Sequence, residues 1–175
     1  MLTFIVGGAR SGKTALALSL CRADARVAYL ATLRAEDDEM RERICRHRAS
    51  RPAEWSTIEE PLAIADAVRR ASGEFDAIVL DCLTLWLSNF CWEHRDCDAG
   101  ELERRALAEA DELVRACGGA RHVIAVSNEV GSGIVPENAV ARQFRDLQGW
   151  VNQRVAAAAD EVWQTVAGIP VRIKG

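Results

Sequence analysis

Residues 7–14 read Gly-Gly-Ala-Arg-Ser-Gly-Lys-Thr and meet the G-x-x-x-x-G-K-[ST] pattern at every fixed position. The chemistry that such a run serves is the holding of a nucleoside triphosphate. Glycines let the backbone turn sharply and approach phosphate oxygens without a Cβ in the way. Successive N–H groups then point inward, and the following helix adds the positive end of its dipole. Lys13 brings a mobile cation to the β- and γ-phosphates, and the Thr14 hydroxyl is a ligand for Mg²⁺. The expected phosphate contacts are therefore Gly7, Gly8, Ala9, Arg10, Ser11, Gly12, Lys13 and Thr14, with Lys13 also catalytic. An apolar strand directly before the loop and a helix directly after it supply the context that separates this motif from a chance match.

A phosphate loop is usually completed by an acid at the end of a neighbouring strand. Asp81, after Ala77-Ile78-Val79-Leu80, fits that role, and the metal ligands expected are Thr14 and Asp81. Glu129, just past residues 122–126, is the competitor. A helix N-cap for residue 83 onward is the plainer reading of Asp81, and the two roles are compatible. The chain has three histidines, His47, His94 and His122. His122 opens an apolar strand, which reads as structural, and His94 lies beside Glu93 and Arg95 in a polar turn. His47 lies among Arg46, Arg48 and Arg51, where cations favour a neutral, nucleophilic imidazole and hold phosphate oxygens. By itself, a histidine in such a charged helix reads as ordinary surface sooner than as a nucleophile. The six cysteines are scattered without a C-x-x-C pair, as buried small hydrophobes would be, and give no zinc site or disulfide frame.

The elements that must position these groups follow from the apolar periodicity. Residues 2–6, 26–31, 75–80 and 122–126 read as buried strands, the third delivering Asp81. Helices are expected over 14–21, 37–49, 61–71 (with Pro61 in its first turn), 83–92, 101–116 and 139–158. The last of these has Val140, Phe144, Leu147, Val151 and Val155 on one face. Residues 127–138 form a loop, and strands 162–166 and 171–173 close the chain as a hairpin through Gly168 and Pro170. This alternation predicts an α/β fold: a single-domain P-loop NTPase, RecA-like, spanning 1–175, with a mostly parallel sheet flanked by helices and a C-terminal β-hairpin.

With 175 residues, 49% hydrophobic and 27% charged, the chain is an ordinary globular protein. A net charge of −4 argues against a nucleic-acid partner, whose backbone demands a clustered positive surface. Five arginines do cluster between Arg41 and Arg51, interleaved with Glu42; a solvated helix face and an anion site are both open there. The chain starts directly on a strand, which leaves no room for a targeting peptide. The apolar segment 83–92 is too short to span a bilayer, so a cytoplasmic location is expected. A phosphate loop serves kinases, switches and motors alike. No N-K-x-D segment exists to read guanine as a switch would, and the chain is short for a motor. Small-molecule transfer is what remains.

Motifs beyond the loop narrow this further. They include Asp37-Asp38-Glu39-Met40, Arg43-Ile44 with His47, Arg51-Pro52 and Trp55. Downstream stand Asn128-Glu129-Val130-Gly131, Gly133-Ile134-Val135-Pro136-Glu137-Asn138, Phe144-Arg145-Asp146, Asn152-Gln153 and Ala159-Asp160-Glu161-Val162-Trp163. Together they resemble the bifunctional adenosylcobinamide kinase / adenosylcobinamide-phosphate guanylyltransferase family of cobalamin assembly, over nearly the whole chain. The resemblance implies transfer of the terminal phosphate of ATP or GTP to adenosylcobinamide. Transfer of GMP from GTP to adenosylcobinamide phosphate follows, through a GMP–histidine intermediate and with Mg²⁺. It makes His47 the nucleophile and adds Thr32, Leu33, Arg34, Arg48, Ala49, Ser50, Arg51 and Glu59 to the nucleotide pocket, Glu59 as an acceptor for guanine N–H groups. Asn128, Glu129 and the turn at 131–133 would meet the corrinoid or the metal. The resemblance also implies a homotrimer, for which segment 83–92, with Trp86, Phe90 and Trp92, is a candidate interface as well as a core helix. Some members carry adjacent histidines, with the nucleophile on the first, where this chain has Arg46-His47; either the second position takes the role, or the helix is adjusted slightly, or guanylyl transfer is lost and a kinase remains. A nucleotide-dependent binding module without catalysis is the third.

Overall fold

The structure is a computed structural model that describes residues 1–34, 42 and 51–175. Seven strands form one sheet: β1 (Leu2–Gly7), β2 (Val27–Ala31), β3 (Ser56–Glu59), β4 (Ala77–Asp81), β5 (Val123–Asn128), β6 (Glu161–Val166) and β7 (Ile169–Lys174). Their order is β3-β2-β4-β5-β1-β6-β7. Every pairing is parallel except the last, β6 with β7. One strand, β5, therefore separates the strand that leads into the phosphate loop from the strand that ends in Asp81, the RecA-like arrangement.

The described helices are α1 (Lys13–Ser19), α2 (Ile64–Ala71), α3 (Leu83–Glu93), α4 (Ala99–Gly118) and α5 (Ala139–Ala158). Strands β1, β4 and β5 are near-continuous apolar runs because both faces of the sheet are covered. One face, carrying Phe4, Leu30, Leu80 and Ala125, packs against α2 to α5. The other, carrying Ile5, Tyr29, Val79 and Val126, packs against Ala17 of α1. Trp86, on α3, is fully buried and its Nε1 donates to Leu62 O at 2.9 Å. Burying a side chain such as Leu87 or Ile124 stabilises the fold by about 1.5–3 kcal/mol.

Four expectations change. Pro61 does not open α2; the helix begins at Ile64, because Glu60 Oε1 accepts from Leu62 N (3.1 Å) and Ala63 N (2.9 Å) and holds a turn there. Strand β3 was not expected: its Ser-Thr-Ile-Glu sequence is short and polar, and pairing with β2 alone makes it a strand. The hairpin turns at Gly168 (φ 83°) as expected, but its companion there is Ala167 (φ 50°) and not Pro170. Pro170 pairs with Thr165 inside β7, and the ring is tolerated there because β7 is an edge strand. Helix α4 starts earlier than expected, at Ala99, because Asp98 caps it by accepting from Glu101 N at 2.9 Å. The expected helix over 37–49 lies outside the described residues, Glu42 excepted.

Candidate active site

Strand β1 ends at Gly7, and the loop returns the chain into α1 at Lys13. Arg10 (φ 57°) and Gly12 (φ 99°) supply the left-handed turns that fold the loop on itself. Tertiary contacts explain two of the glycines. A Cβ on Gly7 would stand 2.5 Å from Thr165 O, and one on Gly12 would stand 3.1 Å from Gly168 Cα. The C-terminal hairpin thus clasps the phosphate loop. Ser11 Oγ and Thr165 Oγ1 share a hydrogen bond of 2.7 Å, and Gly168 N donates to Ser11 O at 3.0 Å.

Lys13 is only 8% exposed, and its Nζ donates to Gly7 O (3.0 Å) and Gly8 O (2.6 Å). Burial lowers its pKa, against the opposing pull of Cys82 and Asp81. Asp81 meets α1 from the far side of β5. Its Oδ2 accepts from Thr14 Oγ1 at 3.1 Å and also from the Tyr29 hydroxyl. Burial, and then the charge of Asp81, push the Tyr29 phenol well above its usual range, so it keeps the proton it donates. The Thr14 hydroxyl and Asp81 carboxylate are hard oxygen donors close enough to share one small cation, and so they fit Mg²⁺.

The N-cap reading of Asp81 does not hold. Cys82 is the N-cap of α3, with no side-chain hydrogen bond, and the Asp81 carboxylate is turned toward Thr14 and Tyr29. Glu129 loses the contest for Thr14: its Oε1 accepts from Gly131 N at 2.7 Å in its own turn, though its backbone N reaches Gly7 O at 3.0 Å. Thr32 is fully buried and acts as a brace. Its Oγ1 donates to Cys82 O (2.8 Å) and accepts from Cys82 N (2.9 Å), holding the cis Asp81–Cys82 peptide. Leu33 and Arg34 follow at half-buried positions, with Arg34 Nη2 3.9 Å from Glu93 Oε2. Glu59 and Asp81 both stand level with Ala31 at the carboxyl edge of the sheet, where ligands of open α/β sheets bind.

Arg51 lies over Tyr29, with its Cζ 3.2 Å from the ring centroid. The remaining expected residues, His47, Arg48, Ala49 and Ser50, lie outside the described residues. The other two histidines are committed to structure. His122 Nε2 bonds Thr3 Oγ1 at 3.0 Å, and burial lowers its pKa; His94 Nδ1 bonds Phe90 O at 2.9 Å. Among the described cysteines, Cys82 and Cys117 are buried, and burial raises their thiols to about 11 and about 12, which keeps them protonated.

Sequence reasoning missed three groups. Tyr29 reads as a core aromatic in Val-Ala-Tyr-Leu-Ala, and nothing local shows its hydroxyl reaching Asp81. Thr165 and Gly168 are equally silent. The third is a buried polar cluster behind β5. Ser127 Oγ donates to Asn152 Oδ1 (2.7 Å), Gln148 Nε2 donates to both, and Asn152 Nδ2 donates to Asn128 O at 3.1 Å. This cluster fixes Asn128, opposite Gly7 in the sheet. Replacing Asn152 with alanine strands those buried partners and is expected to cost about 1–3 kcal/mol. Chemical denaturation measures it; no loss would mean that the cluster is dispensable.

A phosphate loop closed by a hydroxyl–carboxylate pair suits a bound triphosphate but names neither the reaction nor the acceptor. The acceptor comes from comparison with known proteins. The sequence pattern of the CobU family, cobinamide kinase / cobinamide phosphate guanyltransferase, matches residues 3–173. The chain belongs to this family. It is 43% identical to the bifunctional adenosylcobalamin biosynthesis protein CobP of Pseudomonas aeruginosa, covering 100% of this chain and 98% of that one. It is 42% identical to the CobU protein of the same description from Salmonella typhimurium, and 40% identical to that of Escherichia coli. Each of these two alignments spans 99% of this chain and 100% of the relative. The family is one of enzymes, and its two activities suit the loop described above. Among the described residues, no helix is long and apolar enough to cross a membrane.

Proposed function

We propose that one nucleotide site, built on the phosphate loop, serves both activities of the family. In the first, ATP or GTP is held by the loop and its γ-phosphate passes to the hydroxyl of adenosylcobinamide. In the second, GTP is held so that His47 attacks its α-phosphorus and pyrophosphate leaves. The phosphate of adenosylcobinamide phosphate then displaces the histidine, giving adenosylcobinamide-GDP. A covalent histidine divides the α-phosphate exchange into two displacements, each with an accessible nucleophile.

The observation that carries this reading is the contact between Thr14 Oγ1 and Asp81 Oδ2 beneath a loop that holds Lys13. Thr14 and Asp81 would hold Mg²⁺, which when bound supplies charge neutralisation at the β- and γ-phosphates. Lys13 binds the same oxygens from the loop side. Arg48, Ala49, Ser50 and Arg51 are assigned to nucleotide binding, and Glu59 to reading guanine; of these, Arg51 lies over Tyr29 and Glu59 stands at the carboxyl edge of the sheet. Incubating the protein with adenosylcobinamide, γ-labelled ATP or GTP and Mg²⁺ tests the first half directly. Label in the corrinoid is expected. No turnover with either nucleotide would leave only a nucleotide-binding module.

The same reading puts the enzyme in the cytoplasm as a homotrimer. Support for self-association comes from the edge strand β7, where alternate residues Ile169, Val171 and Ile173 are exposed, and from Trp92 at the end of α3, 63% exposed. The rest of α3, with Leu83, Trp86, Leu87 and Phe90 buried, is core. Sedimentation equilibrium is expected to return three times the chain mass; a monomer at assay concentration would overturn the trimer.

A further inference from the structure

Tyr29 is 1% exposed, in the middle of β2, on the sheet face that carries α1. A phenol hydroxyl buried in an apolar layer must find a partner, and a phenylalanine would fill the same space without that demand. Here the hydroxyl is spent on Asp81 Oδ2, the same oxygen that accepts from Thr14. The ring is spent as well: the Arg51 guanidinium sits over it, its Cζ 3.2 Å from the ring centroid. One side chain therefore touches the acid at the end of β4 and a cation of the expected phosphate-binding set, residues otherwise distant in sequence.

We propose that Tyr29 is a positioning residue for metal-assisted nucleotide binding: its hydroxyl orients the Asp81 carboxylate toward Thr14, and its ring seats Arg51 against the triphosphate. Partners of a metal-binding carboxylate fix its orientation and commonly govern metal affinity by about 10- to 100-fold. The proposal rests on the reading that Thr14 and Asp81 hold the divalent cation. Nothing in it requires Tyr29 to touch the nucleotide.

Affinity for α,β-methylene-GTP, whose α–β bridge cannot be cleaved, tests this without turnover. It is measured by calorimetry in excess Mg²⁺ and again in EDTA, and the ratio gives the gain from metal. Tyr29→Phe keeps the ring and removes only the hydroxyl. Its gain from metal is expected to fall about tenfold, with affinity in EDTA staying within about twofold of wild type because the ring still seats Arg51. Asp81→Asn should fall at least as far, and adding Tyr29→Phe to it should change nothing more, since the hydroxyl acts through that carboxylate. If Asp81→Asn lowers the gain and Tyr29→Phe does not, the positioning role is wrong while the metal reading stands. If Asp81→Asn leaves the gain intact, the metal reading itself fails. A Tyr29→Phe variant that loses affinity equally in EDTA and in Mg²⁺ is damaged generally, which also overturns the proposal.

Discussion

Replacing His47 with alanine is expected to abolish covalent labelling of the protein by α-labelled GTP, while phosphorylation of adenosylcobinamide stays within about threefold of wild type. The two reactions attack different phosphorus atoms, and only exchange at the α-phosphate needs a protein nucleophile. On the proposed reading the γ-phosphate passes directly to the corrinoid hydroxyl from a triphosphate held by the loop. Removing His47 therefore takes away one reaction and leaves the other its binding site. Denaturing electrophoresis after incubation with GTP and Mg²⁺ reads the result, and the bond should be acid-labile and alkali-stable, as a phosphoramidate is.

The alternatives to His47 are few. The chain's other histidines are His94, whose Nδ1 is bonded to Phe90 O, and His122, whose Nε2 is bonded to Thr3 Oγ1. Label that survives in His47→Ala would refute the assignment and direct attention to those two. Arg46 makes the experiment sharper, because no neighbouring histidine can take over. A wild-type protein that takes no label yet phosphorylates adenosylcobinamide would be a kinase alone.

Lys13→Ala should depress both reactions together, by about 10²- to 10³-fold in kcat/KM. Lys13 is the cation within the loop, buried against the Gly7 and Gly8 carbonyls. On the proposed reading its ammonium would reach the β- and γ-phosphates, where charge develops whether the γ-phosphate is transferred or pyrophosphate departs. Arginine should not rescue the loss, since its planar fork is bulkier and does not act as a compact point charge in so enclosed a place. Parallel assays of corrinoid phosphorylation and GMP transfer, with a thermal melt to exclude unfolding, measure the effect. Loss of only one activity would mean two separate nucleotide sites and would overturn the single-site reading.

Much of the fold is legible because it is written in local patterns. Buried parallel strands are continuous apolar runs, and residues 139–158 announce a helix by a stripe at three- and four-residue steps, which is α5 as found. The errors fall where local pattern is weak. Strand β3 is short and polar, the turn at Ala167-Gly168 competes with a conspicuous proline, and Glu60 delays α2 by three residues through side-chain hydrogen bonds. Only β3 is decided by pairing with a distant segment; Glu60 acts through hydrogen bonds two and three residues along the chain.

The phosphate loop divides in the same way. Sequence by itself placed a phosphate-loop motif at residues 7–14, because glycine, lysine and threonine stand at that spacing between a strand and a helix. It also determined the family, through motifs spread along the chain. Only the tertiary structure decided which acid faces the loop: Asp81 reaches Thr14 across 67 residues, while Glu129 closes its own turn. Only it revealed the clasp of Ser11 by Thr165, 154 residues away, and the bond from Tyr29 to Asp81, 52 residues apart. The reason is physical. A loop motif states its chemistry through neighbours in sequence, but the direction of a carboxylate is set by the hydrogen-bond donors that folding brings around it.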